Sequence, residues 1–207
     1  MDSVPPEPVF SDKPESLTHH LTRTFEQHLK PHIENPAGSL RVLSVGCGIA
    51  EEVPAVFQAF PNASYRGIDV QDYYLDHARG EYKSFPNATF EYADARKKEA
   101  FGIDRWDIVL LRNPQTVGFP SSRLPGDQGD QAYKEQWRDI VNNAIDAVTE
   151  NGALYVETFA PEDKRIMERY LQERKQDISV VFDHQVVREM GFGRTPAISD
   201  ILVARKV

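Results

Sequence analysis

The chain has 207 residues, a single cysteine and a formal net charge of −8 at neutral pH. That length points to one domain with ample chain for a buried core, and one cysteine excludes an internal disulfide. The negative balance weighs against a nucleic-acid partner, which calls for a basic face, and no apolar run approaches the length of a membrane span.

Residues 1–13 are acidic and proline-rich, without the basic start or apolar centre of a signal peptide. They are expected to form a disordered arm ahead of one domain over 14–207. From Glu15 to Lys30, Leu17, Leu21, Phe25 and Leu29 recur every four residues, which predicts an amphipathic helix. It carries His19, His20 and His28. Pro31, Pro36 and Gly38 then close the segment 14–37.

The stretch from Arg41 to Glu52 reads as a buried strand, a glycine turn at Gly46 and Gly48, and a helix start with Pro54 in its first turn. Glycine lets the backbone turn sharply and approach a ligand, and a helix N-terminus offers unpaired N–H groups. A dinucleotide turn, G-x-G-x-x-G/A, would need a small residue where Glu51 stands, and a carboxylate there repels a pyrophosphate.

Ser64 to Val70 reads as a second strand ending in Asp69, about twenty residues past the glycines, where a carboxylate can take both ribose hydroxyls. A helix over 72–82 follows, opening with Tyr73 and Tyr74. Phe90 to Arg96 reads as a third strand running into Asp94, and Trp106 to Pro114 as a fourth. The stretch 113–129, rich in proline and glycine, leaves the fourth strand where open α/β sheets bind ligands, and is the candidate substrate wall or lid. Beyond it come a helix over 132–148, a fifth strand over 151–158, a helix near 162–175 and two strands, Ile178–Phe182 and Ile198–Ala204. Alternating strands and helices imply a parallel sheet covered on both faces.

The glycine turn, Asp69 and Asp94, in this order, resemble the class I methyltransferases that use S-adenosylmethionine, over roughly residues 38–207. Gly46 and Gly48 match the family's G-x-G-x-G, with Ala50 in third place. The resemblance implies an α/β, Rossmann-like three-layer sandwich whose seven-stranded, mostly parallel sheet ends in an antiparallel edge pair. It implies S-adenosyl-L-methionine as cofactor, held by Gly46, Cys47, Gly48, Glu51, Asp69, Val70, Asp94 and Ala95, with Asp94 on the adenine amino group. The expected reaction is methyl transfer to a small-molecule acceptor by a cytoplasmic monomer or homodimer, with no nucleic acid, membrane or metal involved.

The family places an acid two residues before the first glycine, where this chain has Ser44; Glu51 or Glu52 is the replacement on the sulfonium side. Arg112, Asn113, His19 and His20 are the catalytic candidates. Asn113-Pro114 is half of the motif with which amino methyltransferases hold an amine, and Arg112 suits a substrate carboxylate. The two histidines lie on a helix that in the family crosses the cofactor cleft. Three other readings stay open: a non-catalytic binding protein on this scaffold, suggested by Ser44 and Ala50; amine methylation of protein or RNA; and a nicotinamide-dependent oxidoreductase, against which Glu51 speaks.

Overall fold

The computed structural model describes residues 17–112, 127–188 and 197–207. Seven strands form one sheet: β1 (Arg41–Val45), β2 (Ser64–Asp69), β3 (Ala88–Tyr92), β4 (Trp106–Arg112), β5 (Val148–Thr158), β6 (Ile178–Arg188) and β7 (Ala197–Lys206). Their order is β3-β2-β1-β4-β5-β7-β6. The pairings from β3 through β5 are parallel, and β7 runs antiparallel to both β5 and β6. The expected three-layer sandwich with an antiparallel edge pair is therefore present.

Alternation along the central strands sorts their side chains into two cores. Val42, Ile108, Leu110 and Tyr155 face one layer, made by α1 (Leu17–Thr24), α2 (Val53–Ala59) and α3 (Asp72–Glu81). Leu43, Val109, Leu111 and Leu154 face the other, made by α4 (Asp127–Ala147) and α5 (Pro161–Glu173). Burial on both faces is why β1 and β4 read as continuous apolar runs.

The predicted first helix is composite. α1 passes into a π-helical turn over Phe25–Leu29 and a 3-10 turn over Lys30–His32. In an α-helix each four-residue step overshoots a full turn by about 40°. The wider π turn takes up that drift, so Leu21, Phe25 and Leu29 all reach zero exposure on one side. Phe25 meets the Tyr155 ring edge-on, at 5.3 Å between centroids.

Several strand limits differ from expectation; β5 opens at Val148 and β7 runs from Ala197 to Lys206. β3 stops at Tyr92, because the Ala93 amide still bonds the Asp69 carbonyl but the chain then turns, with Lys97 N–H donating to Asp94 O. β6 extends to Arg188, since β7 pairs with it along its whole length. The arm 1–13, Asn113 and the greater part of the 113–129 stretch lie outside the described residues.

Candidate cofactor and acceptor site

The glycine turn sits at the carboxyl end of β1, the central strand. Gly46, Gly48 and Ala50 all have positive φ, at 64°, 54° and 57°. Alternate residues thus adopt the left-handed region, which costs an alanine about 1–2 kcal/mol that glycine escapes. A Cβ on Gly46 or Gly48 would meet nothing within 4 Å, so both face open space, and a ligand can lie against bare backbone there.

Asp69 locks the turn. Its Oδ2 accepts from the Gly48 amide and its Oδ1 from the Gln71 amide, each at 2.9 Å, while Cys47 N–H donates to Ile68 O. Each carboxylate oxygen keeps a second lone-pair direction for a ligand hydroxyl. Cys47 turns inward. A Cβ on Gly67 would lie 2.8 Å from its Sγ, so the glycine of β2 makes room for the thiol. Burial first, then the carboxylates of Glu52 and Asp69, push that thiol far above its ordinary range and keep it protonated.

The adenine-side candidates follow the ends of β2 and β3. Val70 is half exposed and Tyr73 strongly so. Ala95 is buried, and its carbonyl accepts from Asn143. Asp94 is held by Arg96, Nε to Oδ1 at 2.8 Å and Nη2 to Oδ2 at 2.6 Å. Those hydrogen bonds set its carboxyl below the usual range.

Beside the turn stands a buried charged cluster. Glu52, immediately before α2, is 1 % exposed. Its Oε1 accepts from Ser44 Oγ and from Tyr65 OH, both at 2.6 Å, and its Oε2 accepts from Arg112 Nη1 at 2.9 Å. The same guanidinium donates through Nε to Glu157 Oε2 at 3.0 Å. Burial opposes the charge on Arg112, but Glu157 and then Glu52 more than offset it and raise its pKa. Two carboxylates flank one guanidinium, a formal charge of −1 for the cluster. Glu51 is exposed next to them.

A cavity of about 260 Å³ runs from Gly46 and Gly48 past Glu52 to Arg112 and Phe159. A larger hollow of about 980 Å³ lies at the opposite end of the sheet, against Arg105, Val148 and Lys206. The smaller one is at the carboxyl ends of the parallel strands, where open α/β sheets bind ligands, and Glu51, Glu52 and Arg112 line it.

Arg112 reaches the cavity with its guanidinium already engaged by two carboxylates. His19 is exposed and His20 is buried, and neither lines the cavity. Asn113 is outside the described residues. Glu157 was not anticipated from the sequence. Its signal was a charged residue at the end of the otherwise apolar run from Ala153 to Val156. Among the described residues no group of three His, Cys, Asp or Glu side chains could hold a metal ion. No described helix is long and apolar enough to cross a membrane.

No protein-family model matches this sequence, and neither does any curated protein sequence. The fold does match solved structures. TrmN from Thermus thermophilus superposes with a TM-score of 0.62 at 18% identity, over 92% of this chain and 48% of that one. The chain therefore spans about half the length of TrmN. A precorrin-6y C5,15-methyltransferase from Geobacter metallireducens GS-15 gives 0.63 at 14% identity, over 96% and 94% of the two chains. An rRNA methylase from Streptococcus thermophilus gives 0.59 at 11% identity, over 93% and 98%.

The chain has the class I methyltransferase fold.

One expectation needs correction. The net charge of −8 weighs against a nucleic-acid partner, and the expected acceptor is a small molecule alone. The same fold is found in an rRNA methylase as well as in a precorrin methyltransferase, so that restriction does not stand. Net charge sums the whole surface, whereas phosphate contact needs only a local cationic patch.

Proposed function

We propose that this chain is a methyltransferase using S-adenosylmethionine. The observation that carries the reading is the bare-backbone turn at Gly46 and Gly48, locked by Asp69 and set beside a cluster with one net negative charge. Among the described residues the cation lining the cavity is Arg112, already paired with two carboxylates, which suits a nucleoside better than a phosphate. The negative cluster fits a ligand that also bears a positive sulfonium.

In this reading the backbone of Gly46, Cys47 and Gly48 carries the ligand and Asp69 takes its ribose hydroxyls. Val70, Asp94 and Ala95 form the adenine end. Glu51 and Glu52 face the sulfonium end. When bound, the cofactor supplies a methyl group activated by positive sulfur. The protein's own contribution is alignment, since holding two reactants in line removes much of the barrier.

Calorimetric titration with S-adenosylmethionine and with its demethylated product tests the reading. Saturable binding of both is expected, and no heat at millimolar ligand overturns it. The non-catalytic alternative draws on the grip of Arg96 on both oxygens of Asp94, which competes with adenine. Binding without turnover across amine, hydroxyl and RNA acceptors would favour it.

A further inference from the structure

The larger hollow, of about 980 Å³, lies at the amino ends of β4 and β5, away from the glycine turn. That is the size of a small-molecule site. Phe101, Ala147 and Val148 give it a buried apolar wall, and Lys98, Arg105 and Lys206 stand around that wall.

These cations converge on the last turn of α4. Lys206 Nζ donates to Ile145 O at 3.0 Å, and Arg105 Nη1 donates to Asp146 O. The Asp146 carboxylate lies 2.6 Å from Arg174 Nη2 and 3.8 Å from Lys98 Nζ. Arg174 Nε in turn donates to Asp177 Oδ2 at 2.7 Å. A helix C-terminus attracts cations, but its partial charge is only about half a unit. Among the described residues, four cations therefore share two carboxylates and one helix end, a local positive excess in a chain of net charge −8. The carboxylates of the rim, Asp104 and Glu150, are exposed to water. Burial holds the Lys206 ammonium below its ordinary range; Asp146 and Asp177 oppose this, and Arg105 and Arg174 add to it. An added anion relieves such a group.

Asn143 also lines the hollow and connects it to the cofactor end. Its Nδ2 donates to Ala95 O at 3.1 Å and to Arg96 O at 3.0 Å. Lys98 and Phe101 bound the 3-10 turn that follows directly, and Lys97 N–H donates to Asp94 O. The segment that carries Asp94 and Ala95 thus shares its supports with the hollow.

We propose that the hollow is a second ligand site, for a small organic anion with an apolar body, and that its occupation tightens cofactor binding through Asn143 and the 94–98 segment. The anionic group meets Lys98, Arg105 and Lys206, and the body covers Phe101 and Val148. A neutral ligand of the same shape gains only the second contact, and a bare anion only the first. An anion that draws on Lys98 fixes the segment, so adenine has less to order when it binds, and the coupling acts equally in both directions. The coupling rests on the methyltransferase reading; the anion site does not.

The test uses the full chain with sodium benzoate, benzamide and sodium acetate as probes, at constant ionic strength. The indole N–H of Trp106, which donates to Phe101 O at 3.0 Å, reports on the wall by NMR. Benzoate should shift it saturably, with benzamide and acetate at least tenfold weaker. Lys206→Met should weaken benzoate binding about tenfold, as expected for one charge-assisted hydrogen bond. If thermal unfolding shows that Lys206→Met does not fold, Lys98→Met replaces it. The Lys98 side chain is 76% exposed, and its loss should weaken benzoate about threefold.

No saturable shift with benzoate, an equal affinity for benzamide or acetate, or unchanged affinity in the folded variant would each overturn the site. Calorimetry with S-adenosylhomocysteine, without and with saturating benzoate, reads the coupling. Tightening of about threefold or more is expected, and unchanged or weaker binding overturns the coupling. No S-adenosylhomocysteine binding in either condition removes the cofactor assignment and the coupling with it, while the benzoate titration stands on its own.

Discussion

Ser44 donates its hydroxyl proton to Glu52 Oε1 across 2.6 Å. The resemblance would place an acid at position 44; here Glu52, from the start of α2, brings a carboxylate to Ser44 instead. Tyr65 and Arg112 complete its hydrogen bonds. Ser44→Asp would therefore set two buried carboxylates against each other. We expect it to destabilise the fold by about 3 kcal/mol or more, as for an uncompensated buried charge. Urea unfolding of Ser44→Asp beside wild type measures this, and unchanged stability would remove Glu52 from the role.

Asp69 holds the turn and, in the proposed function, also faces the ligand. Asp69→Ala removes the acceptor for the Gly48 and Gln71 amides, which loosens the turn, and it also removes the proposed ribose partner. Charge-assisted bonds contribute roughly 1.5–3 kcal/mol each, so affinity for S-adenosylmethionine should fall more than tenfold. Asp69→Asn, which keeps one acceptor oxygen, should fall between. Calorimetry on the three proteins gives the order.

Arg96 should act as a competitor. Its bonds to Asp94 are partly exposed, with side-chain exposures of 48% and 18%, and pairs of that kind contribute roughly 0.2–1 kcal/mol. Arg96→Ala is expected to tighten adenosine-containing ligands by up to about fivefold while leaving stability nearly unchanged. Weaker binding in the variant would instead make Arg96 part of the ligand's own contact set.

Packing beneath the turn can be read by a double-mutant cycle. Gly67→Ala drives a methyl group to 2.8 Å from Cys47 Sγ and 3.1 Å from a Phe90 ring carbon, an overpacking that costs about 1–3 kcal/mol. Cys47→Ala removes the sulfur, so the double variant should recover part of that loss. Chemical denaturation of the four proteins provides the coupling.

Acid should weaken the attachment of the N-terminal helical segment to β6. His28 stacks on Phe182 at 4.5 Å, with His184 at 6.3 Å from it and His32 at 6.5 Å from Phe182. The pKa of His28 is lowered from 6.5 by burial, then by His184, Arg23 and His32. That of His32 is lowered by burial, then by Arg205. A base with a depressed folded-state pKa is protonated first in the unfolded chain. Its contribution is intact above pH 6.5 and shrinks as the pH falls below that, until the folded form also takes the proton. Unfolding measured at pH 7.5 and 5.5 should show the decline, and His28→Phe should flatten it while keeping the stacked contact.

Local pattern was enough to read the scaffold. Apolar runs bounded by turn residues announced the central strands, because a strand covered on both faces has no polar side to display. The order of strands and helices left few ways to wind a sheet. Gly46 and Gly48 were legible for a similar reason, as positions of positive φ are written in the residue type itself. Ala50 was not, since nothing in an alanine announces φ of 57°; the closure of the turn imposes it.

What sequence order could not show is which charges meet. Glu52, Arg112 and Glu157 lie on α2's doorstep and on two neighbouring strands, 60 and 45 positions apart along the chain. Spacing said nothing of their contact. Register did, by setting Arg112 opposite Glu157 across β4 and β5. Short-range periodicity is a property of the chain and so determined the sheet and its glycine turn. The pairing of the site's charges arises from desolvation and long-range contact, and these exist only once the strands have closed side by side.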